Sequence, residues 1–299
     1  MHLSFINANI LHQVLEEEIN IVYSPVNSLF DKILYLLDYN FFVFGDYVSK
    51  TDNCVALPQS HIDLYNYDLY LANGIVNASQ QTINRTLHTN TLIFEHSFKA
   101  PNLKKEDLVI LNNKTKNIKK IFFNQDYMRT WNQQDSICLT YGVPLNIFKN
   151  ELDYNDRKHV LIYANNIIGQ QLHNHLSGDN IECSLLDMSQ LSIQQINKKI
   201  NNYKLVINLN NDHLVSLAAA ACGCHVIELS ANPKQIPSIH CRSSIEQSVD
   251  LLKNILTNNN SPDHRAIEEY LPQNHDFELF KIKISDIIRT TAKREAFVL

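Results

Sequence analysis

The chain has 299 residues, 44% of them hydrophobic and 19% charged, a composition that supports a buried core and excludes a disordered or fibrous protein. Its length suits two domains of roughly 150 residues each. A formal charge of −5 excludes a chain that coats nucleic acid through overall basicity and leaves only a local basic groove for such a partner.

The opening residues, MHLSFINANILHQVLEEEINIVY, lack the basic start and unbroken apolar run of a secretion signal. No later stretch reaches the about 18 apolar residues of a membrane-spanning helix. A cytoplasmic protein without a transmembrane segment is expected. The six cysteines sit mostly in apolar, strand-like runs and suit reduced core thiols. Cys222, Cys224 and His225, with His240 and Cys241, match no zinc-ligand spacing, so no metal site is expected.

In chain order, residues 19–24 (INIVYS) predict a strand, 28–39 a helix, and 41–45, 68–73 and 91–96 further strands. A lysine-rich interval follows, carrying Lys104, Lys105, Lys114, Lys116, Lys119 and Lys120, and is expected to be a solvated face that can alternatively track a phosphate backbone. KKIFF (119–123) and SICLTYG (136–142) are strand-like, with a helical NQDYMRTWNQQ between them. Apolar content drops over FKNELDYNDR (148–157), which marks a domain boundary. Beyond it come a strand at 159–165, a helical IIGQQLHNHL, a strand at 181–187, an amphipathic helix at 189–200 and a strand at 203–209. A helix at 212–221 opens at the N-cap Asp212 and leads into a strand at 225–229. LTNNNSPDHRA (256–266) is expected to be a polar loop, and the last 25 residues show helical spacing with a basic outer face.

Strands alternating with helices of about ten residues predict βαβ units and parallel sheets covered on both faces. The expected fold is therefore α/β, with two Rossmann-like domains facing across a cleft: residues 1–150, residues 151–280, and a C-terminal helix over 281–299 that crosses back to the first domain. The commoner enzymes of this class are excluded by what is missing. There is no G-x-G-x-x-G, P-loop, G-x-S-x-G or H-E-x-x-H pattern, and only six glycines in all. A ligand is expected at the carboxyl ends of parallel strands, in the cleft.

The stretch VINLNNDHLVSLAAAACGCHVIELSANPKQIP resembles the donor-site region of retaining GT-B glycosyltransferases of the family 4 type, in which a helix ends Ala-Cys-Gly and runs into an apolar strand. TLIFEHSFKAPNLKKEDLVIL, KKIFF and the hinge Gly142-Val143-Pro144 with Phe148 are similar to the other lobe of the same family. The resemblance covers most of residues 90–240. It implies a transferase that moves a hexosyl or pentosyl group, without a metal or other cofactor, from a nucleotide diphosphate sugar, a UDP-sugar in the first place. His96 would face the sugar, with Glu95 as an acceptor-side base. Asn165 and Asn166, Asn210, Asn211 and Asp212, the N–H groups of His213 and Leu214, and Lys234 with Arg242 beyond it would line the donor site. The sequence departs from the family where two glutamates are expected, at Asn210 and Ala218, and where a basic pair is expected, at Asn165 and Asn166.

The acceptor stays open between a glycan and DNA. A compact chain rich in Asn, Ile and Lys also resembles the phage enzymes that glycosylate 5-hydroxymethyl pyrimidines, for which Lys281, Lys283, Arg289, Lys293 and Arg294 offer a basic rim. A monomer or homodimer is expected, in the host cytoplasm if the source is viral. The alternative is a catalytically silent binding or scaffold protein of the same fold.

Overall fold

The computed structural model describes residues 19–24, 28–44, 54–57, 68–73, 91–96, 113, 118–131, 136–164, 166–229 and 236–292. Two separate parallel sheets organise them. The first comprises β1 (Asn20–Ser24), β2 (Asn40–Phe44), β3 (Cys54–Leu57), β4 (Leu69–Asn73), β5 (Thr91–Glu95), β6 (Lys119–Phe122) and β7 (Ser136–Cys138), in the order β3-β2-β1-β4-β5-β6-β7. The second comprises β8 (Lys158–Tyr163), β9 (Cys183–Leu185), β10 (Tyr203–Asn208), β11 (His225–Leu229) and β12 (Ile239–Arg242), in the order β12-β11-β10-β8-β9. Each order reverses once, between β1 and β4 in the N-lobe and between β8 and β10 in the C-lobe. Such switch points open a crevice beyond the carboxyl ends of the strands.

The second sheet is covered on both faces, and its side chains show why. Val160 and Ile162 of β8, Leu205 and Ile207 of β10 and Ile227 of β11 join one apolar cluster with α3 (Ile167–Gly178) and α6 (Ile245–Asn258). Their neighbours Leu161, Tyr163, Val206 and Val226 point the other way, toward α4 (Ile193–Asn201) and α5 (His213–Ala221). Alternation with period two inside continuous apolar runs is what a strand buried on both faces requires.

The helix α2 (Gln125–Trp131) joins β6 to β7, and a helix from beyond the second sheet closes the N-lobe. The helix α8 (Phe277–Ala292) packs on β4 and β5, and the Tyr39 hydroxyl donates to the Ser285 carbonyl at 3.4 Å. The helix α1 (Leu29–Leu34) is capped reciprocally by Ser28 and Asp31 and packs against α4 and α5 of the other lobe. It is shorter than the 28–39 pattern suggests, because Tyr35 to Tyr39 turn back in tight 3₁₀-like bonds and lay both tyrosines against Phe41. Between the lobes, Val143 bridges to Asp276 and its N–H donates to the His275 carbonyl. The buried Arg157 binds the carbonyls of Leu152, Tyr203 and Gly223 and the side chain of Asn150, fixing the linker to the C-lobe.

Several expectations are corrected. Strands β3 and β12 and the helix α6 have no counterpart in the sequence pattern. The 256–266 loop shrinks, since α6 runs to Asn258 and α7 (His264–Asn274) opens at His264 under the Asp263 cap. Lys120 is not part of a solvated face: it is fully buried in β6. Lys104, Lys105, Lys114 and Lys116 lie outside the described residues. Cys222 and Cys224 are buried free thiols, but Cys138 is exposed and Cys183 and Cys241 are half-buried.

A candidate active site where the lobes meet

On the N-lobe side, β5 delivers His96 past its carboxyl end into an aromatic enclosure. The ring stacks on Phe123 and Tyr141, with centroids at 5.0 and 5.8 Å, and takes the edge of Phe30 at 4.7 Å. Its Nδ1 lies 2.6 Å from the Tyr141 hydroxyl. Burial drives the imidazole pKa down to about 3, so the ring is neutral. The Tyr141 phenol is held well above its ordinary pKa, first by burial and then by the carboxylates of Asp212 and Glu228. Tyr141 thus stands between the N-lobe histidine and the electrostatic field of the C-lobe acids.

On the C-lobe side, the turn after β10 is folded back by Asn208, whose Nδ2 donates to the Asp212 carbonyl at 2.7 Å and to the Ser216 hydroxyl at 2.8 Å. Asn211 takes the left-handed conformation with φ +56°, a backbone that asparagine tolerates better than most residues. Asp212 then caps α5, its Oδ1 accepting from the N–H groups of Leu214 at 3.2 Å and Val215 at 3.4 Å. Burial raises the Asp212 carboxyl to about pH 7; the two N–H bonds oppose that rise, while Glu228 and Asp31 add to it. His213 Nδ1 lies 3.3 Å from Glu228 Oε2, and its ring sits 6.2 Å from that of His275. His275 Nδ1 is 3.0 Å from the Tyr141 carbonyl, and a carbonyl can only accept, so that nitrogen carries a proton.

The structure therefore gathers His96, Asp212, His213 and Leu214 at one buried seam. Asn166 caps α3 through Gly169 N–H beside the C-lobe switch point, and Asn210 and Asn211 belong to the adjoining turn after β10. Glu95 is turned to other work: it is buried, and its charge holds up the pKa of Lys120, which burial pulls down to about 8. The Leu214 N–H, expected to meet a diphosphate, is already taken by Asp212. Arg242 donates to the Cys241 carbonyl in β12. Asn165 and Lys234 lie outside the described residues.

Sequence reasoning missed Tyr141, Glu228, His275 and Asp31. Glu228 carried one signal, an acid in the otherwise apolar strand HVIEL. Tyr141 closes the strand-like SICLTYG just before the hinge and carries no signal of its own. Among the described residues, no three His, Cys, Asp or Glu side chains gather as a metal ion needs, and no helix is long and apolar enough to cross a membrane.

No protein-family model matches the chain, and no curated protein sequence does. Solved structures do match. Sucrose-phosphate synthase from Thermosynechococcus elongatus superposes with a TM-score of 0.64 at 10% identity, over 91% of this chain and 98% of that one. The UDP-forming α,α-trehalose-phosphate synthase from Burkholderia vietnamiensis gives 0.56 at 10% identity, over 94% and 99%. AviGT4, a glycosyltransferase involved in avilamycin A biosynthesis, gives 0.55 at 9% identity, over 92% and 98%. The chain has the GT-B fold. In a GT-B frame the seam just described lies between the two Rossmann-like lobes, with β5 and β10 aimed at it from opposite sides.

Proposed function

We propose that this GT-B protein transfers a glycosyl group from a nucleotide diphosphate sugar to an acceptor hydroxyl. The observation that carries the reading is Tyr141, which hydrogen-bonds His96 beyond β5 and lies in the field of Asp212 at the amino end of α5, beyond β10, across the lobes of a GT-B fold. A leaving diphosphate gathers negative charge, and helix N-terminal N–H groups with a nearby cation stabilise it. Lys234 is the cation assigned to this task, and no metal is required. The reading also demands that Asp212 release the Leu214 N–H when the diphosphate arrives. A UDP-sugar is the first donor to try. The acceptor is either a 5-hydroxymethyl pyrimidine in DNA or a glycan, and the exposed Lys283 and Arg289 of α8 supply charge for the former.

The test is incubation with a panel of nucleotide sugars and hydroxymethylcytosine DNA, read by mass gain on the nucleosides, with the same donors titrated by calorimetry. Mass gain identifies a DNA acceptor; donor binding without it points to a glycan. In whichever acceptor assay is active, His96→Ala and Lys234→Ala are each expected to lower turnover by about 100-fold while the protein stays folded. Wild-type rates in both remove those assignments.

A second reading is favoured by a specific observation. Ala218 is wholly buried where the family carries a ribose-binding glutamate, and α5 is closed by its own aspartate. A catalytically silent GT-B scaffold predicts no binding of any nucleotide sugar.

A further inference from the structure

The two nitrogens of His96 are not equivalent, and the geometry around Tyr141 distinguishes them. Nδ1 sits 2.6 Å from the Tyr141 hydroxyl, the only hydrogen bond that this hydroxyl makes among the described residues. A phenol has one proton to give. If Nδ1 carried the imidazole proton, the hydroxyl would accept it and its own O–H would be left buried without an acceptor there, which forfeits its hydration with nothing in return. Donation from Tyr141 to Nδ1 avoids that cost. The phenol keeps its proton, because burial and the carboxylates of Asp212 and Glu228 both oppose ionisation. The imidazole takes no second proton, because its aromatic surroundings stabilise no charge.

We infer that Tyr141 is a positioning residue that holds His96 as the neutral Nε2–H tautomer, so that His96 meets a substrate oxygen as a hydrogen-bond donor and not as a base. The substrate in this statement rests on the glycosyl-transfer reading; the tautomer does not. With the Nδ1 lone pair engaged and Nε2 protonated, the ring has no site for a proton from an attacking hydroxyl. What it offers is one N–H, suited to a sugar hydroxyl or a phosphoryl oxygen.

The test is a two-bond proton–nitrogen correlation spectrum of the full-length chain labelled with ¹⁵N-histidine. The chain has 13 histidines, so the His96 signals are identified by their loss in His96→Gln. The expected result is the neutral Nε2–H pattern for His96, constant from pH 8 down to pH 5. In Tyr141→Phe the expected result is a mixture of tautomers at His96 with the backbone amide fingerprint preserved. An Nδ1–H or imidazolium pattern in the wild type overturns the inference, and that spectrum decides the matter even if Tyr141→Phe fails to fold. A folded Tyr141→Phe with an unchanged His96 pattern overturns it equally. In a transfer assay, Tyr141→Phe is expected to lower kcat about tenfold with KM for the nucleotide sugar nearly constant. A correct tautomer with no transfer of any sugar leaves the inference standing and defeats the glycosyl-transfer reading alone.

Discussion

Asp212 and His96 are buried a few side chains apart and titrate in opposite senses. Asp212 moves from 3.8 to about 7 on folding, so between those values the native state holds a proton that the unfolded chain has shed. Its stabilisation is complete below pH 3.8 and is lost as pH rises toward 7, at up to about 1.4 kcal/mol per pH unit. His96 moves from 6.5 to about 3, so its stabilisation is complete above pH 6.5 and is lost as pH falls, with the same limiting slope. Urea unfolding across pH should therefore show the stability gap between wild type and Asp212→Asn narrowing from pH 4 to 7. The gap between wild type and His96→Phe should widen in the favour of wild type from pH 3 to 6.5. Parallel profiles for the two variants would refute the assignment of either group to a dry seam. The Asp212 cap was legible in the sequence, because capping is settled by residues two and three positions away. Glu228 and Asp31 were not, since their influence on Asp212 exists only once β11 and α1 are brought to it.

The helix α5 shows what an element can and cannot reveal about a site. Four alanines in a row let helix and sheet approach closely, and Ala218, Ala219 and Ala220 are buried to within 1%. Replacing Ala218 by Glu introduces the residue that the glycosyltransferases it resembles carry, yet in this chain it forces a carboxylate into an apolar wall. We expect a loss of about 3 kcal/mol or more and no gain in donor affinity, read by thermal unfolding and calorimetry. Gly223, which ends the helix, has φ +77°, and a Cβ there would run into the His264 imidazole. Gly223→Ala should cost about 1–3 kcal/mol, measurable as a fall in the urea midpoint at unchanged slope. The long apolar runs of β8, β10 and β11 were readable because both faces are buried. The four-residue strands β3 and β12 were not, since so short a run becomes a strand only through its neighbour's hydrogen bonds. The helix α7 was hidden behind the Asn and Pro residues that precede its cap.

At the scale of the whole molecule, an α/β fold built on parallel sheets was legible from the alternation of strands and helices. Their mutual placement was not, because it is made by contacts between residues far apart in the chain. Phe280 of α8 meets Phe30 of α1 at 6.4 Å, and Gly142 passes so close to Phe280 that a Cβ would collide with it. Removing residues 277–299 strips Phe280, Ile284 and Ile288 from the N-lobe and leaves β4 and β5 uncovered. Hydrogen exchange on the truncated chain should show β4 and β5 losing protection while β8, β10 and β11 keep theirs; equal protection in both lobes would contradict this packing. A ribosome delivers these parts in an awkward order. The N-lobe cannot finish its interior until α8, made after the whole second sheet, leaves the exit tunnel, so a nascent chain carries β4 and β5 without that helix while the C-lobe is being made, an interval in which chaperones would be needed.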